Sequence, residues 1–422
     1  MVLLLVACII DHIDIEVIWR PTNSHDSACA YNNKYRMKQP SCMDGFVETV
    51  ECKTRLLVPA LSLTERVPPK VPAFFNPAAK QSRDLSILAY RAFAPRLKKE
   101  KTLADGFTGI GARALRVAVE VPEIEQVFAN DANPTAIEAA RKSAELNGVS
   151  GKCRFSVNEV CKFLMKGNDS EERFGIVDLD PFGTPARHVD CVLRAALDDG
   201  LVSITATDTA VLCGVYPEVC LRRYYGRPLN NSYGNETALR LLTSLIALTA
   251  SRLELAIKPV FSHATMHYLR VYAQVSVSSS EANDVYASIG HVMHCFNCGH
   301  RLATAEYDGN ARCELCQKKL RVGGQLWTGP LHEKGFVAKM KEQAGKDEKS
   351  KKVLDAALDE IDDVPYYFKA DEISSKLRTN PHSIPKIIEK LRAAGYKASK
   401  TSLNFGAFKT DARLDRIIDV LR

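Results

Sequence analysis

Apolar and polar positions alternate over residues 44–60, as in Phe46-Val47-Glu48-Thr49-Val50 and Arg55-Leu56-Leu57-Val58. A period of two predicts a hairpin or two short strands. Pro68, Pro69, Pro72 and Pro77 then impose an extended path. Leu85, Leu88 and Ala89 recur at helical spacing and predict a helix over 84–93. From residue 102 onward two periods take turns. Short apolar runs at 102–105, 126–131, 154–157, 175–179 and 200–206 read as strands. Segments 112–120, 134–146, 160–165 and 186–197 read as helices, with Pro134 near the start of the second. Such alternation predicts a parallel, doubly wound α/β sheet. A long amphipathic helix over 236–255 follows, and strands at 256–261 and 268–277 complete the sheet. Residues 341–363 are dense in charge and read as a linker or a solvated helix. Beyond them, helices at 370–377 and 384–394 precede a strand-like Lys397-Ala398-Ser399-Lys400, the order of a small winged-helix unit.

The chain has 422 residues, enough for two or three domains, and 46% apolar and 25% charged residues place it among ordinary globular proteins. A net charge of +7 is compatible with nucleic acid without demanding it. No apolar run reaches the roughly 20 residues of a membrane span. Residues 1–10 resemble a signal core but lack a basic start, and Asp11, Asp14 and Glu16 follow at once. Residues 1–42 therefore read as a poorly ordered extension, or as an upstream misread start with the true start at Met43. The remaining divisions are a catalytic domain over 43–285, a cysteine-bearing segment over 286–340 and a charged linker with its tail over 341–422. No membrane association and no obligate protein partner are expected.

Thirteen cysteines are mostly scattered, which fits a reducing cytosol and a cytoplasmic protein better than a disulfide framework. Four are paired: Cys295-x2-Cys298 and Cys313-x2-Cys316, fourteen residues apart. Four thiolates complete a tetrahedral shell, so this spacing predicts a structural zinc ribbon with no open coordination position. His294 and His300 are surplus to that shell and read as surface residues.

Two strand ends carry candidate chemistry. The loop Asp105-Gly106-Phe107-Thr108-Gly109-Ile110-Gly111-Ala112-Arg113 follows a strand and opens a helix, a place suited to an anionic cofactor. The next strand ends in Asn130-Asp131, where the acid can accept from two ribose hydroxyls. Nicotinamide and S-adenosylmethionine (SAM) enzymes share both features. A helix cap is the structural alternative for Asp131. Asn158 or Glu159, after the third strand, is a candidate for an adenine amino group. Asp178-Leu179-Asp180-Pro181-Phe182-Gly183 ends an apolar run at the edge where open α/β sheets hold ligands. An acid, a proline and an aromatic there can grip a planar amine, a use that hydride transfer does not have. Asp178 reads as a supporting residue that orients the turn.

Together these residues resemble the tRNA (guanine-26-N2) dimethyltransferases. The resemblance rests on Phe74-Phe75-Asn76-Pro77, Arg83-Asp84, the loop at 105–116, Asn130-Asp131, the 178–183 motif and Ala206-Thr207-Asp208-Thr209-Ala210. Leu212-Cys213-Gly214, Trp327-Thr328-Gly329-Pro330-Leu331 and Phe405-Gly406-Ala407-Phe408-Lys409-Thr410-Asp411-Ala412 fit as well. It spans about residues 43–422. Phe107 and the extra Gly111 depart from the family's usual loop without breaking the spacing to Arg113 and Arg116.

The resemblance implies a Rossmann-like SAM-dependent domain and a C-terminal α+β domain with the zinc ribbon and winged-helix-like tail. It implies tRNA as partner and one or two methyl transfers to the exocyclic amine of guanine 26. By position, Arg83 and Arg113 would contact the cofactor carboxylate, and Asp105 belongs to the same cofactor loop. Asp131 would take the ribose. Asp180 would be the catalytic acid, with the Pro181 carbonyl, and Phe74 and Phe182 would hold the base. Lys386, Lys390, Arg392, Lys397, Lys400, Lys409, Arg413 and Arg416 would supply phosphate contacts. Two alternatives stand beside this reading: methylation of another nucleic-acid or protein amine, and a non-catalytic RNA-binding protein on a degenerate fold.

Overall fold

The computed structural model describes residues 43–165, 173–265 and 267–422. The expected extension at 1–42 lies outside them. The predicted hairpin is β1 (Phe46–Glu51) antiparallel to β2 (Thr54–Pro59), followed by a single turn, α1 (Leu61–Thr64). The proline-rich stretch carries only a 3-10 turn at Pro77–Ala79, capped by the Asn76 side chain, before α2 (Lys80–Phe93).

The strand and helix periods then build β3 (Thr102–Asp105), α3 (Ala112–Glu120), β4 (Gln126–Asn130), α4 (Pro134–Leu146), β5 (Cys153–Ser156), α5 (Val160–Met165), β6 (Phe174–Leu179), α6 (Val189–Ala195) and β7 (Ala196–Ala206). Two short helices, α7 (Thr209–Leu212) and α8 (Pro217–Tyr224), lead to the long α9 (Gly234–Arg252), β8 (Leu255–Ala264) and β9 (Leu269–Val277). The seven strands lie in the order β5-β4-β3-β6-β7-β9-β8. β5, β4, β3, β6 and β7 are parallel, whereas β9 pairs antiparallel with both β7 and β8. The sheet is thus mixed rather than wholly parallel. β8 and β9 are joined by a short connection, which forces an antiparallel pair. Strand order reverses between β3 and β6, the switch point at which such sheets bind ligands. Apolar side chains cover both faces, α2, α3 and α4 on one and α6 and α9 on the other.

After α10 (Ser279–Asp284), β10 (Ile289–His294), β11 (Arg301–Thr304) and β12 (Arg321–Trp327) form an antiparallel three-stranded sheet that carries the paired cysteines. The charged stretch is not a linker. α11 (Lys334–Gln343) and α12 (Glu348–Asp359) pack on α2, burying Phe336, Val337, Met340, Val353, Leu354 and Ala357 in the catalytic domain's core. Their charges occupy the outer faces, and α11 runs across the boundary expected at 340. The tail comprises β13 (Phe368–Lys369), α13 (Ala370–Leu377), α14 (Ile384–Ala393), β14 (Ala398–Lys400), β15 (Ala407–Thr410) and α15 (Leu414–Leu421). Its sheet order is β13-β15-β14, a winged-helix arrangement with its own core.

Two further expectations change. Cys161 on α5 and Cys191 on α6 form a disulfide, because adjacent helices on one sheet face bring together residues 30 apart in sequence. Lys409 is not a surface cation: it is 1% exposed and pairs with Glu236 at 2.7 Å and Glu360 at 2.8 Å. Glu236 in turn receives buried Arg240 at 2.8 Å. The tail is therefore anchored to α9 through a buried ion network.

Candidate active site

A cleft of about 430 Å³ opens over the carboxyl ends of β3, β4 and β6. Asp105, Arg113, Asp131, Asp180, Pro181, Phe182, Phe74 and Arg83 all line it. Asn158 and Glu159 do not. Glu159 instead accepts the Lys162 amide at 2.9 Å and caps the first turn of α5, while the Asn158 carbonyl accepts from Asn130.

The loop after β3 is stitched to its neighbours by backbone bonds. The Gly106 amide donates to the Asp178 carbonyl at 3.0 Å, and the Thr108 amide to the Asn130 carbonyl at 2.8 Å. Gly109, at φ +55°, passes its amide to Asp131 Oδ2 at 2.9 Å. Asp131 Oδ1 accepts the Asn133 amide at 2.9 Å. The cap of α4 is Asn133, not Asp131. Each Asp131 oxygen keeps a second lone pair for a ligand.

Asp105 is buried, and both of its carboxyl oxygens lack a hydrogen-bond partner. Burial first, then the Asp178 charge, pushes its pKa up to about 8. Thr108 Oγ1 and Arg113 Nε are likewise unpartnered. A buried acid, hydroxyl and guanidinium nitrogen left unsatisfied around one cleft fit a ligand bearing both ammonium and carboxylate groups, as SAM does.

Asp178 is fully buried at the end of β6, where it is paired with Arg270 and accepts from the Tyr90 hydroxyl. Arg270 also donates to Ser203 Oγ at 2.6 Å and to Thr205 Oγ1. Arg113 spans both acids: Nη1 lies 3.2 Å from Asp178 Oδ1 and Nη2 lies 2.7 Å from Asp180 Oδ2. Burial alone would raise the Asp180 pKa. Arg113 and Arg270 overcome it and hold the carboxylate below its usual range. The turn beyond is clamped to the end of β7, with the Gly183 amide donating to Thr207 Oγ1 at 2.6 Å and the Thr207 amide to the Gly183 carbonyl at 2.9 Å.

Phe182 is 62% exposed at the cleft mouth. Its ring meets Phe74 edge to face, with centroids 4.9 Å apart and planes at 81°. A base held between two rings needs about 7 Å, twice a normal carbon contact. The two aromatics therefore touch each other here and must part to hold a base. Arg83 is buried against Glu51 of β1, with bonds of 2.7 and 2.6 Å, and donates to the Asn76 carbonyl at 3.1 Å. Tyr90, Arg270 and Glu51 were not anticipated from sequence, and Thr207 entered only as part of the 206–210 motif, without this clamping role. Arg270 did leave a signal, an arginine inside the apolar run of β9.

In the ribbon, Cys295 Sγ lies 3.4 Å from Cys316 Sγ, and Cys298 Sγ lies 3.5 Å from Cys313 Sγ. All four sulfurs fall within 4.8 Å of one another. Zinc–sulfur bonds of about 2.3 Å imply tetrahedral edges of about 3.8 Å, so the cluster fits zinc. His294 and His300 are buried rather than exposed. A small ribbon has too few apolar residues for a core, and the rings fill it: His294 packs on Phe296 and Tyr233. Burial followed by the Arg301 charge drives the His294 pKa down to about 3.

A cleft at the switch point of this sheet, joined to a four-thiolate ribbon and a winged-helix tail, defines a Rossmann-like methyltransferase fold. The chain belongs to the N2,N2-dimethylguanosine tRNA methyltransferase family, whose profile it matches over residues 52–422. It is 34% identical over 372 residues to the tRNA (guanine(26)-N(2))-dimethyltransferase of Methanothermobacter thermautotrophicus, covering 85% of this chain and 97% of the relative. It is 33% identical over 303 residues to the tRNA (guanine(26)-N(2)/guanine(27)-N(2))-dimethyltransferase of Aquifex aeolicus, covering 71% and 76%. Its fold is similar to that of Trm1 from Pyrococcus horikoshii in complex with S-adenosyl-L-methionine. The TM-score is 0.76 at 24% identity, over 89% of this chain and 99% of that one.

Proposed function

We propose that this chain transfers one or two methyl groups from SAM to the exocyclic 2-amino group of guanine 26 in tRNA. The observation that carries the reading is Asp180, an ionised carboxylate at a strand end inside a cleft whose unsatisfied groups suit SAM. Family membership supports the substrate.

In this reading Asp131 holds the ribose, and Asp105, Arg83 and Arg113 hold the amino-acid end of the cofactor. When bound, the cofactor supplies a sulfonium methyl that is already a strong electrophile. Guanine's amine is a poor nucleophile because its lone pair is delocalised into the ring. Asp180 and the Pro181 carbonyl accept hydrogen bonds from that amine and favour a more tetrahedral nitrogen. The Arg113 and Arg270 contacts both fall on Asp180 Oδ2, which leaves Oδ1 outside those pairs. As positive charge develops on nitrogen, the carboxylate stabilises it and accepts the proton. Its lowered pKa makes it a weak base at rest, so electrostatic stabilisation precedes proton transfer. Phe182 and Phe74 stack on the base after parting, worth about 1–3 kcal/mol per base. Guanine 26 must be flipped from the tRNA core at a cost of about a few kcal/mol.

Among the described residues no helix is long and apolar enough to cross a membrane. Work on tRNA fits a cytoplasmic location. We assign catalysis to residues 43–285, with the helix pair of 334–359 built onto them, and RNA binding to the ribbon and tail. Incubation with labelled SAM and unmodified tRNA, followed by mapping of the product, tests the reading. Label in N2-methylguanine at position 26 is expected. Label in adenine, in protein or nowhere would overturn it.

A further inference from the structure

A second open groove, of about 390 Å³, lies between the α7–α8 region and the cysteine ribbon. Three cations, Arg227, Lys319 and Arg321, and two aromatics, Phe296 and Tyr307, line it, and no carboxylate does. Phe296 and Tyr307 are 46% and 64% exposed, unusual for rings with no partner covering them. The Arg321 guanidinium stands over the Phe296 ring at 4.9 Å. Lys319 and Arg321 are exposed and make no ion pair among the described residues. Three of the tail cations differ: Lys397, Arg392 and Arg413 are each tied to an acid.

The groove is built rather than accidental. Arg227 and Gly324 exchange both backbone hydrogen bonds, at 2.6 and 2.9 Å, and bind the end of the α8 segment to β12. A Cβ at Gly323 would come within 2.7 Å of Leu229 Cγ, so only glycine permits that approach. The groove also continues from the catalytic edge. Thr207, which clamps the Gly183 turn, leads through α7 to Gly214 in the groove wall.

Two cations free of acids, a third (Arg227) only loosely paired with exposed Glu218 at 3.6 Å, and exposed rings beside them are what an unstacked nucleotide strand requires. Resting on the tRNA reading above, we propose that this groove holds a single-stranded segment of the tRNA substrate. Its phosphates lie on Arg227, Lys319 and Arg321, and a base stacks on Phe296 or Tyr307. The ribbon is then a strand guide for the catalytic cleft rather than only a folding staple.

The test uses the full zinc-loaded chain. Two variants, Lys319→Glu with Arg321→Glu, and Phe296→Ala, are assayed for tRNA binding across a salt series, for SAM binding and for melting temperature. The charge variant is expected to weaken tRNA binding at least tenfold and to flatten the log–log salt slope by about 1.4, two contacts at about 0.7 each for a single strand. Phe296→Ala is expected to weaken binding about 5- to 100-fold with the slope unchanged. SAM affinity stays at the wild-type value in both variants and the melting temperature stays there in the charge variant; Phe296→Ala, which uncovers the buried His294 ring, is compared at a temperature where it remains folded. Should either variant fail to fold, a photoreactive phenylalanine at position 307 is expected to crosslink to bound tRNA. Wild-type affinity and slope in a folded charge variant, or no crosslink from position 307, would overturn the groove proposal. A wild-type enzyme that methylates tRNA while these results fail leaves the function standing and removes only the groove. A wild-type enzyme that binds no tRNA overturns both.

Discussion

Arg113 donates a 2.7 Å hydrogen bond to Asp180 Oδ2, and so couples the residue proposed to hold the cofactor to the residue proposed to meet the amine. Arg113 reaches the pair from α3, while Asp180 follows β6, and the buried Asp178 sits between them. The Asp178–Arg270–Tyr90 network fixes that geometry from below. Asp180 therefore stays ionised without being a strong base.

This coupling sets a pH signature. A depressed carboxylate pKa keeps Asp180 charged until pH falls below its usual range. Replacing Arg113 with Gln removes one of the two cations that hold the carboxylate low and so raises that pKa. The acid limb of kcat/KM against pH should move upward accordingly, with weaker SAM binding. An acid limb in the wild-type position would disconnect Arg113 from Asp180.

Asp105 predicts a proton released on cofactor binding. Without ligand its carboxyl is held up to about 8 by burial and by Asp178, so it is largely protonated at neutral pH. An unfolded chain would already have lost that proton above about pH 4. The ligand-free protein should therefore lose stability as pH rises from about 4 to 8. A cofactor ammonium beside Asp105 favours the charged form, so SAM binding at pH 7 should release up to about one proton. Calorimetry in two buffers of different ionisation heat measures it, and Asp105→Asn should abolish it. Binding heats independent of buffer in the wild type would contradict this role.

Lys409 separates anchoring from RNA binding. It lies buried between Glu236 and Glu360. Lys409→Met takes the shared buried cation from both acids, leaving Glu236 with Arg240 and Glu360 with Ser402, and should cost about 3–5 kcal/mol of stability. Lys386 and Lys400 are exposed and form no ion pair among the described residues. Their replacement by Gln should leave the melting temperature within error and weaken tRNA binding in a salt-dependent way. Denaturation and salt-series titrations compare the three. Equal effects on stability would refute the distinction.

The ribbon should hold one zinc per chain. Metal analysis of protein purified without chelators is expected to find it, and Cys298→Ser should lose it together with ribbon stability. Protein free of zinc with a normal melting temperature would exclude a structural metal.

Much of this was legible in the chain. The strand and helix array from residue 102 showed itself because short apolar runs alternate with helical periods, with Gly106 after β3 and Pro181 beyond β6 as punctuation, and residues 178–183 marked the switch-point strand. Strand direction was less legible, since apolar runs do not say which way β8 and β9 point. Residues 341–363, read as a linker or a solvated helix from their density of charge, are helical at 348–359 but not wholly solvated: Val353, Leu354 and Ala357 form a buried stripe that a charge count conceals. Lys409 and the two histidines misled because their burial depends on distant partners, α9 for the lysine and Tyr233 for His294. The Phe74–Phe182 contact was beyond reach, as sequence can pair two rings without showing that they close on each other.

The central claim is that the Asp180 carboxylate drives methyl transfer to the amine, and Asp180→Asn tests it by keeping shape while removing charge. Single-turnover rates with unmodified tRNA, alongside SAM and tRNA binding constants, are the measurement. A rate lowered about 10²- to 10⁴-fold with both affinities within twofold of wild type is predicted. Near-normal turnover with unchanged SAM binding would contradict a catalytic carboxylate at position 180.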